Sequence, residues 1–339
     1  MRSLLLIEEY GLGDAVMATP ALEALAARYP TAAMTVIGPP PVAELRRPCP
    51  VVREVVDSSL FPVGIGSTSF LRRRSFDAAV DLTGKFRTAL LAWRTRAGQR
   101  IGTPWWRPPW LASTFYTQVV PCRPRRHAVE HKADLARALG ADKVPDRLRL
   151  WLTHDDEAHA ERWLAERALG PADTLLGLHP GGASHGRQWT PAGFAEVCRR
   201  LTARGLRCII TGGAQDRPLA ARIADQSGAA PFIAAGELPV RASAALLDRC
   251  AAVITGDTGP MHLAAAVGTP IVALFGRSDP SWTRPWNAPH VLVSADLDCI
   301  PCRGRPRMSS ARCRRNLACM TQITPDQVVE ALDRLLDQT

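Results

Sequence analysis

No stretch of the 339-residue chain approaches the run of about 18 apolar residues that a membrane-spanning helix needs. Leu4-Leu-Leu-Ile7 is far too short for the apolar segment of a secretory signal, so the chain is expected to stay in the cytoplasm. A P-loop lysine motif is missing, as is a complete G-x-G-x-x-G, and no nucleic-acid-binding motif of recognisable type occurs. Any nucleotide site must therefore be built from other loops. Nine cysteines at irregular positions make no disulfide framework and fit a reducing compartment. The composition of a disordered chain is absent too, with 46% hydrophobic and 22% charged residues. The length suffices for two domains.

Acids are scarce where bases gather. Residues 71–126 hold twelve Lys or Arg against two acids, Asp77 and Asp81, and that excess of ten equals the net charge of +10 of the whole chain. Residues 299–315 add six arginines and no acid. So confined a field points to a phosphorylated substrate, an anionic membrane surface or nucleic acid, with a merely solvated basic face as the plain alternative. The missing nucleic-acid motif weighs against the third, and no nucleic acid is expected. Within this region, 98–124 holds Trp105, Trp106, Trp110 and four prolines between 104 and 121, and predicts a long loop or a set of short irregular pieces.

Periodicity divides the chain into two series. Leu4–Ile7 reads as a strand, Glu8-Glu-Tyr-Gly-Leu-Gly-Asp14 as a Gly-bearing turn, and 15–29 as a helix that Pro20 either opens or kinks. Strands are expected at 34–37, 51–56 and 78–82, with helices near 86–96 and 127–139. Thr153 caps a helix to about Leu169, and Gly170-Pro171 marks the expected domain boundary. Strands at 175–178, 206–210 and 232–234 then alternate with helices at 191–204, 216–226 and 242–249. Thr324-Pro-Asp-Gln327 opens a last helix with a capping box. These series predict an α/β fold of two Rossmann-like domains, over 1–170 and 171–320, with parallel sheets facing across a cleft. A helix over 321–339 is expected to pack back towards the first domain.

Val253–Gly276 carries the sharpest local pattern. An apolar strand ends in Gly256-Asp-Thr-Gly259, Pro260 opens a helix, Gly268 and Pro270 stop it, and Ile271–Phe275 begins another strand. A helix starting beyond a strand, behind a glycine loop, aims its free N–H groups above the sheet and suits a phosphate, although such joints also occur without any ligand. His179-Pro-Gly-Gly-Ala-Ser184 and Thr211-Gly-Gly-Ala214 are two further loops of the same kind, with Arg187 just past the first. Three such loops on one sheet edge predict a nucleotide diphosphate site. In the first half, Asp14 sits where strand one meets helix one. It reads either as a dipole-compatible or capping acid or as a carboxylate able to take a proton from an attacking hydroxyl.

The combination resembles glycosyltransferase family 9, the group of the ADP-heptose:lipopolysaccharide heptosyltransferases. The residues that carry the likeness are Leu4–Leu25 with Arg28-Tyr-Pro30, Gly177–Ser184 with Arg187-Gln-Trp189, and Gly256–Ala266 with Gly268-Thr-Pro270 and Phe275-Gly276. The resemblance implies a GT-B fold with the acceptor domain first and the nucleotide-sugar domain second, and an inverting transfer without a catalytic metal. It makes Asp14 the general base and puts Asp257, Thr258, Gly259 and His262 in the donor loop. His179, Gly181, Ser184, Arg187, Gly213 and Asp216 are expected on the donor side, Asp216 or Glu237 at the ribose, and Gly13, Lys85 and Arg87 at the acceptor. Arg187 stands where characterised heptosyltransferases have a lysine, which keeps the charge but not its geometry.

The expected activity is transfer of a heptose or related sugar from a nucleotide sugar, ADP-heptose, to a phosphorylated glycolipid acceptor of the lipopolysaccharide-core type or to another glycan. It is expected at the anionic inner face of the inner membrane. Two other readings stay open: a nucleotide-sugar epimerase or hydrolase on the same fold, and a catalytically silent, metal-stabilised binding protein. The latter draws on Cys299, Cys302, Cys313 and Cys319, whose spacing C-x2-C-x10-C-x5-C suits a structural zinc or iron, against reduced thiols or a disulfide as the plainer readings.

Overall fold

The computed structural model describes residues 1–60, 71, 74–105, 109–182, 185–302, 313 and 315–338. The chain divides into two compact units, Met1–Trp151 and Leu152–Thr339.

In the first unit, β1 (Ser3–Ile7), β2 (Ala33–Gly38), β3 (Glu54–Asp57), β4 (Ala78–Asp81), β5 (Gln99–Gly102) and β6 (Gln118–Val119) form one parallel sheet in the order β3-β2-β1-β4-β5-β6. Its helices are α1 (Leu12–Met17), α2 (Thr19–Arg28), α3 (Pro40–Arg46), α4 (Phe86–Arg94), α5 (Ala112–Phe115) and α6 (Ala128–Arg137). Alternate residues of a strand point to opposite faces, and both faces are covered, so the strands are continuously apolar. Leu4, Leu6, Met34, Val36 and Val80 pack with Leu22, Leu25 and Leu135 of α2 and α6. Leu5, Ile7, Ile37 and Ala79 pack with Ala89 and Ala92 of α4 and Tyr116 beyond α5. Pro20 lies at the start of α2, whose first turn has no use for its missing N–H, and the chain turns between α1 and α2 instead of kinking one long helix.

The second unit repeats the plan. Strands β7 (Leu175–His179), β8 (Arg207–Ile210), β9 (Phe232–Ile233), β10 (Ala252–Gly256), β11 (Ile271–Leu274) and β12 (His290–Val293) are parallel in the order β12-β11-β10-β7-β8-β9. The helices are α7 (His154–Ala165), α8 (Pro191–Ala203), α9 (Arg217–Ser227), α10 (Val240–Asp248), α11 (Gly259–Val267), α12 (Pro280–Thr283), α13 (Ala318–Thr321) and α14 (Pro325–Leu336). In each unit the first strand lies beside the fourth, and the connections run outward in opposite directions from that pair. Doubly wound sheets bind ligands at this switch point, beyond the carboxyl ends of the strands.

The structure differs from the sequence reading at the division between the units and in the segment 98–124. The division falls at Trp151–Leu152, ahead of Gly170-Pro171. The reason is that α7 is tied into the second unit: Trp163 Nε1 donates to Glu237 Oε2 at 2.6 Å and Arg241 Nε to Asp156 Oδ2 at 2.9 Å. Helix α14 buries Val328, Ala331, Leu332 and Leu335 in the core of the second unit. The segment 98–124 supplies β5, β6 and α5, which extend the first sheet. Among the described residues no helix is long and apolar enough to cross a membrane.

Two buried polar pairs brace the first sheet's carboxyl edge. Arg46, fully buried, donates Nε to Glu8 Oε2 at 3.0 Å, Nη2 to Glu8 Oε1 at 3.1 Å and Nη2 to the carbonyl of Ala15 at 2.6 Å. Burial works against the guanidinium's charge, and the Glu8 carboxylate outweighs it. The Tyr116 hydroxyl donates to Asp81 Oδ2 at 2.6 Å, while Asp81 Oδ1 accepts the amides of Thr83 and Gly84, each at 2.9 Å. Burial raises the Asp81 carboxyl, and these hydrogen bonds oppose the rise.

Removing one partner of a buried pair strands the other charge. Arg46→Met is expected to cost about 3–5 kcal/mol in urea unfolding, and Glu8→Leu/Arg46→Met together less than the single change; a double variant weaker than the single would contradict this. Burial, helped by the Lys132 ammonium, pushes the His131 imidazole down from 6.5 to about 4. Below 6.5 the unfolded chain therefore binds the proton first, and stability is lost as pH falls towards 4. The urea midpoint of His131→Gln is expected to fall less between pH 7 and pH 4.5 than that of the unaltered chain.

Candidate functional site

At the first unit's switch point the loops after β1 and β4 meet. The Glu9 amide donates to Thr83 Oγ1 at 2.7 Å, Lys85 Nζ donates to the Glu9 carbonyl at 3.0 Å, and Arg87 pairs with the Glu9 carboxylate. Gly84, at φ +71°, takes a conformation that a side chain would strain, and an added Cβ there would lie 2.0 Å from the Thr103 carbonyl. Thus Gly13, Asp14, Lys85 and Arg87 all stand at the carboxyl edge of the β1–β4 pair, with Lys85 and Arg87 exposed. Asp14 occupies the third position of α1. The N-cap is Gly11, and no side chain caps that helix, so the capping role is not the one Asp14 plays. Its carboxylate is half exposed and meets Lys132 Nζ at 3.4 Å from Oδ1.

In the second unit the loops after β7, β8 and β10 close on one another because their glycines have no side chains. A Cβ on Gly181 would lie 2.8 Å from Asp216 Oδ1 and 3.0 Å from His179 Nε2. One on Gly256 would lie 2.7 Å from the carbonyl oxygen of Arg187, and one on Gly182 would lie 3.6 Å from Thr258 Cγ2. His179 is buried, and its Nδ1–H donates to the Thr211 carbonyl at 3.2 Å, which leaves Nε2 as the acceptor. Burial lowers its affinity for a proton, against the pull of the nearby Asp216 carboxylate. Asp216 in turn accepts the Gly213 amide at 2.9 Å and holds the β8 loop in its turn.

Helix α11 begins where these loops converge. Thr258 is its N-cap but makes no side-chain cap, its Oγ1 lying 3.1 Å from Thr255 Oγ1. Pro260 lies in the first turn, and His262 is buried one turn further in. Arg187 Nη1 comes within 3.3 Å of buried Asp257 Oδ2 as an ion pair. The result is an amide-lined edge with one exposed guanidinium, of the kind that binds phosphate. Gly259 opens α11, while Ser184 lies outside the described residues. Glu237 is engaged by Trp163, Arg167 and Arg217.

Sequence reasoning missed Lys132 and Tyr116. Lys132 had a signal, being a lysine on the face of α6 that buries Ala128, Val129, Leu135 and Ala136. Tyr116 had none: it reaches Asp81 across β5 because Gly102 leaves room for its ring. The four cysteines 299, 302, 313 and 319 are free thiols. Burial, together with the thiols of Cys302, Cys313 and Cys299, raises the Cys319 pKa. Among the described residues no three His, Cys, Asp or Glu side chains converge on one metal-sized point.

Lipopolysaccharide heptosyltransferase 2 of Salmonella typhimurium is 28% identical over 305 residues, 83% of this chain and 85% of that protein. Two solved structures share the fold over the whole chain. The glycosyl transferase family 9 protein of Veillonella parvula has a TM-score of 0.85 at 23% identity and covers 100% of this chain and 98% of its own. The ADP-heptose lps heptosyltransferase II of E. coli has 0.77 at 24%, covering 100% and 99%. The fold is therefore of the GT-B class. The sequence pattern of glycosyltransferase family 9 (heptosyltransferase) matches residues 68–311, and the chain belongs to that family of glycosyltransferases.

Proposed function

We propose that the chain moves a heptose, or a closely related sugar, from a nucleotide-sugar donor to a glycan acceptor of the lipopolysaccharide-core type. The observation that carries this reading is the glycine-permitted closure of the His179–Gly182, Gly212–Asp216 and Gly256–Gly259 loops around the start of α11. ADP-heptose is the donor favoured here, being named for the E. coli heptosyltransferase II that shares the fold. Its diphosphate meets the first-turn amides of α11 and Arg187, with His179, Gly181, Gly213, Asp216, Asp257, Thr258, Gly259 and His262 around it. On donor binding Arg187 exchanges Asp257 for phosphate oxygens.

In this reading the first unit takes the acceptor and the second the donor. Asp14 accepts the proton of an acceptor hydroxyl. The freed electron pair attacks the anomeric carbon, and the bond to the diphosphate breaks on the opposite side, which inverts that carbon. The α11 amides and Arg187 stabilise charge on the leaving diphosphate, so the step requires no metal. Gly13 leaves room beside Asp14, while Lys85 and Arg87 suit an acidic, phosphorylated acceptor. Exposed Phe86, Trp93 and Trp110, in the same basic stretch of sequence as exposed Arg123 and Arg125, favour work at the anionic inner face of the inner membrane.

Among ADP-, UDP- and GDP-sugars, ADP-heptose is expected to raise the melting temperature most. Asp14→Asn is expected to bind ADP-heptose with unchanged affinity by calorimetry yet lose about 10²–10⁴-fold in transfer, the contribution of a positioned base. Retained turnover would sink that role, and donor consumption without acceptor would favour an epimerase or hydrolase. Arg187→Met is expected to weaken ADP binding about tenfold or more, as loss of a charge-assisted hydrogen bond does.

A further inference from the structure

We infer that Lys132 is the residue that orients Asp14 for proton transfer. The inference rests on the reading of Asp14 as the general base. Within α1, Asp14 caps nothing. Among the described residues its only polar partner is the Lys132 ammonium, 3.4 Å from Oδ1. A carboxylate in a first turn, half open to solvent, would otherwise turn freely about its side-chain torsions.

Lys132 is itself held in place. It is 4% exposed, a rare state for a lysine. Its ammonium lies 4.2 Å from the centre of the Tyr10 ring, a favourable cation–π position. Its helix is anchored by Leu135 and Ala136, which pack with Leu22 and Leu25 of α2. A buried ammonium without a counter-charge is costly, so Lys132 and an ionised Asp14 stabilise each other. Two further titratable groups interact with this pair: Tyr10, on the loop before α1, and His131, beside Lys132 on α6.

Lys132 and Asp14 form an ion pair whose closest approach is 3.4 Å, at Oδ1. The carboxylate so placed takes the acceptor's proton. The acceptor O–H bond breaks, an O–H bond to the Asp14 carboxylate forms, and the electron pair left on the acceptor oxygen makes the glycosidic bond as the diphosphate leaves with its own pair. A protonated Asp14 no longer matches the ammonium beside it, which drives the proton out to solvent and restores the base. Lys132 acts through Asp14 and is a positioning residue.

Lys132→Met keeps the length of the stem and removes the charge; Lys132→Arg keeps the charge. Both are assayed as the full chain with ADP-heptose and heptose-free inner-core lipopolysaccharide, with thermal melting alongside. Lys132→Met is expected to lower kcat about 10- to 100-fold, as misorientation of a reacting group does, with KM for the donor and the calorimetric Kd for ADP changed by less than about threefold. Lys132→Arg is expected to recover most of the loss, and Lys132→Met is expected to add nothing in an Asp14→Asn background. If Asp14→Asn is inactive while Lys132→Met turns over normally, the inference fails and the base reading stands. If Asp14→Asn is active, both fail. Should Lys132→Met not fold, Lys132→Arg decides: a folded Lys132→Arg with kcat close to the unaltered chain supports the role of the charge, and one that melts normally yet is as slow as Asp14→Asn overturns it.

Discussion

The second unit depends on backbone approaching backbone at Gly256. A single methyl group there would stand 2.7 Å from the Arg187 carbonyl, well inside contact distance. Because it is absent, the loop after β7 lies against the end of β10, and Arg187 reaches Asp257. The same device recurs at Gly181 against Asp216 and His179. Three loops that would each wander alone are thereby stacked around the start of α11, where uncapped amides collect. The site is pre-organised by missing atoms, which cost nothing in desolvation.

The first unit solves the corresponding problem with side chains. Glu8 and Arg46 lock the loop leading to Asp14 onto α3, and Asp81 and Tyr116 lock the loop leading to Lys85 onto the edge of the sheet. Buried polar pairs of this sort add little net stability but penalise every alternative packing. Directional bonds fix the angle at which a loop leaves the sheet, whereas close glycine contacts bring backbone groups together.

Much of this was legible in the sequence, for physical reasons that differ by element. The central strands β1, β2, β4, β7, β10 and β11 are covered on both faces, so their apolar runs stand out. The outer strands do not: β6 is Gln118–Val119 with both residues exposed, and β12 is mostly half-buried. That is why 98–124 read as irregular, although it carries two strands and the Tyr116 that braces Asp81. Helix α7 was legible as a helix, with its Thr153 cap, but its allegiance was not. Trp163 and Asp156 find Glu237 and Arg241 only in space.

The sequence by itself determined what is set by neighbours along the chain. The alternation of strand and helix, the breaks at Pro20 and Gly268, the capping box at Thr324 and the glycine loops all follow from interactions within a few residues. Tertiary structure alone decided which strand lies beside which, and hence that the loops after β1 and β4, and those after β7 and β10, meet at switch points. It also decided that Lys132 stands against Asp14, 118 positions away in sequence (132 − 14 = 118), and that Arg187 faces Asp257. Such pairings are made through space by burying the faces of the sheets, and a periodicity read along one strand carries no record of them.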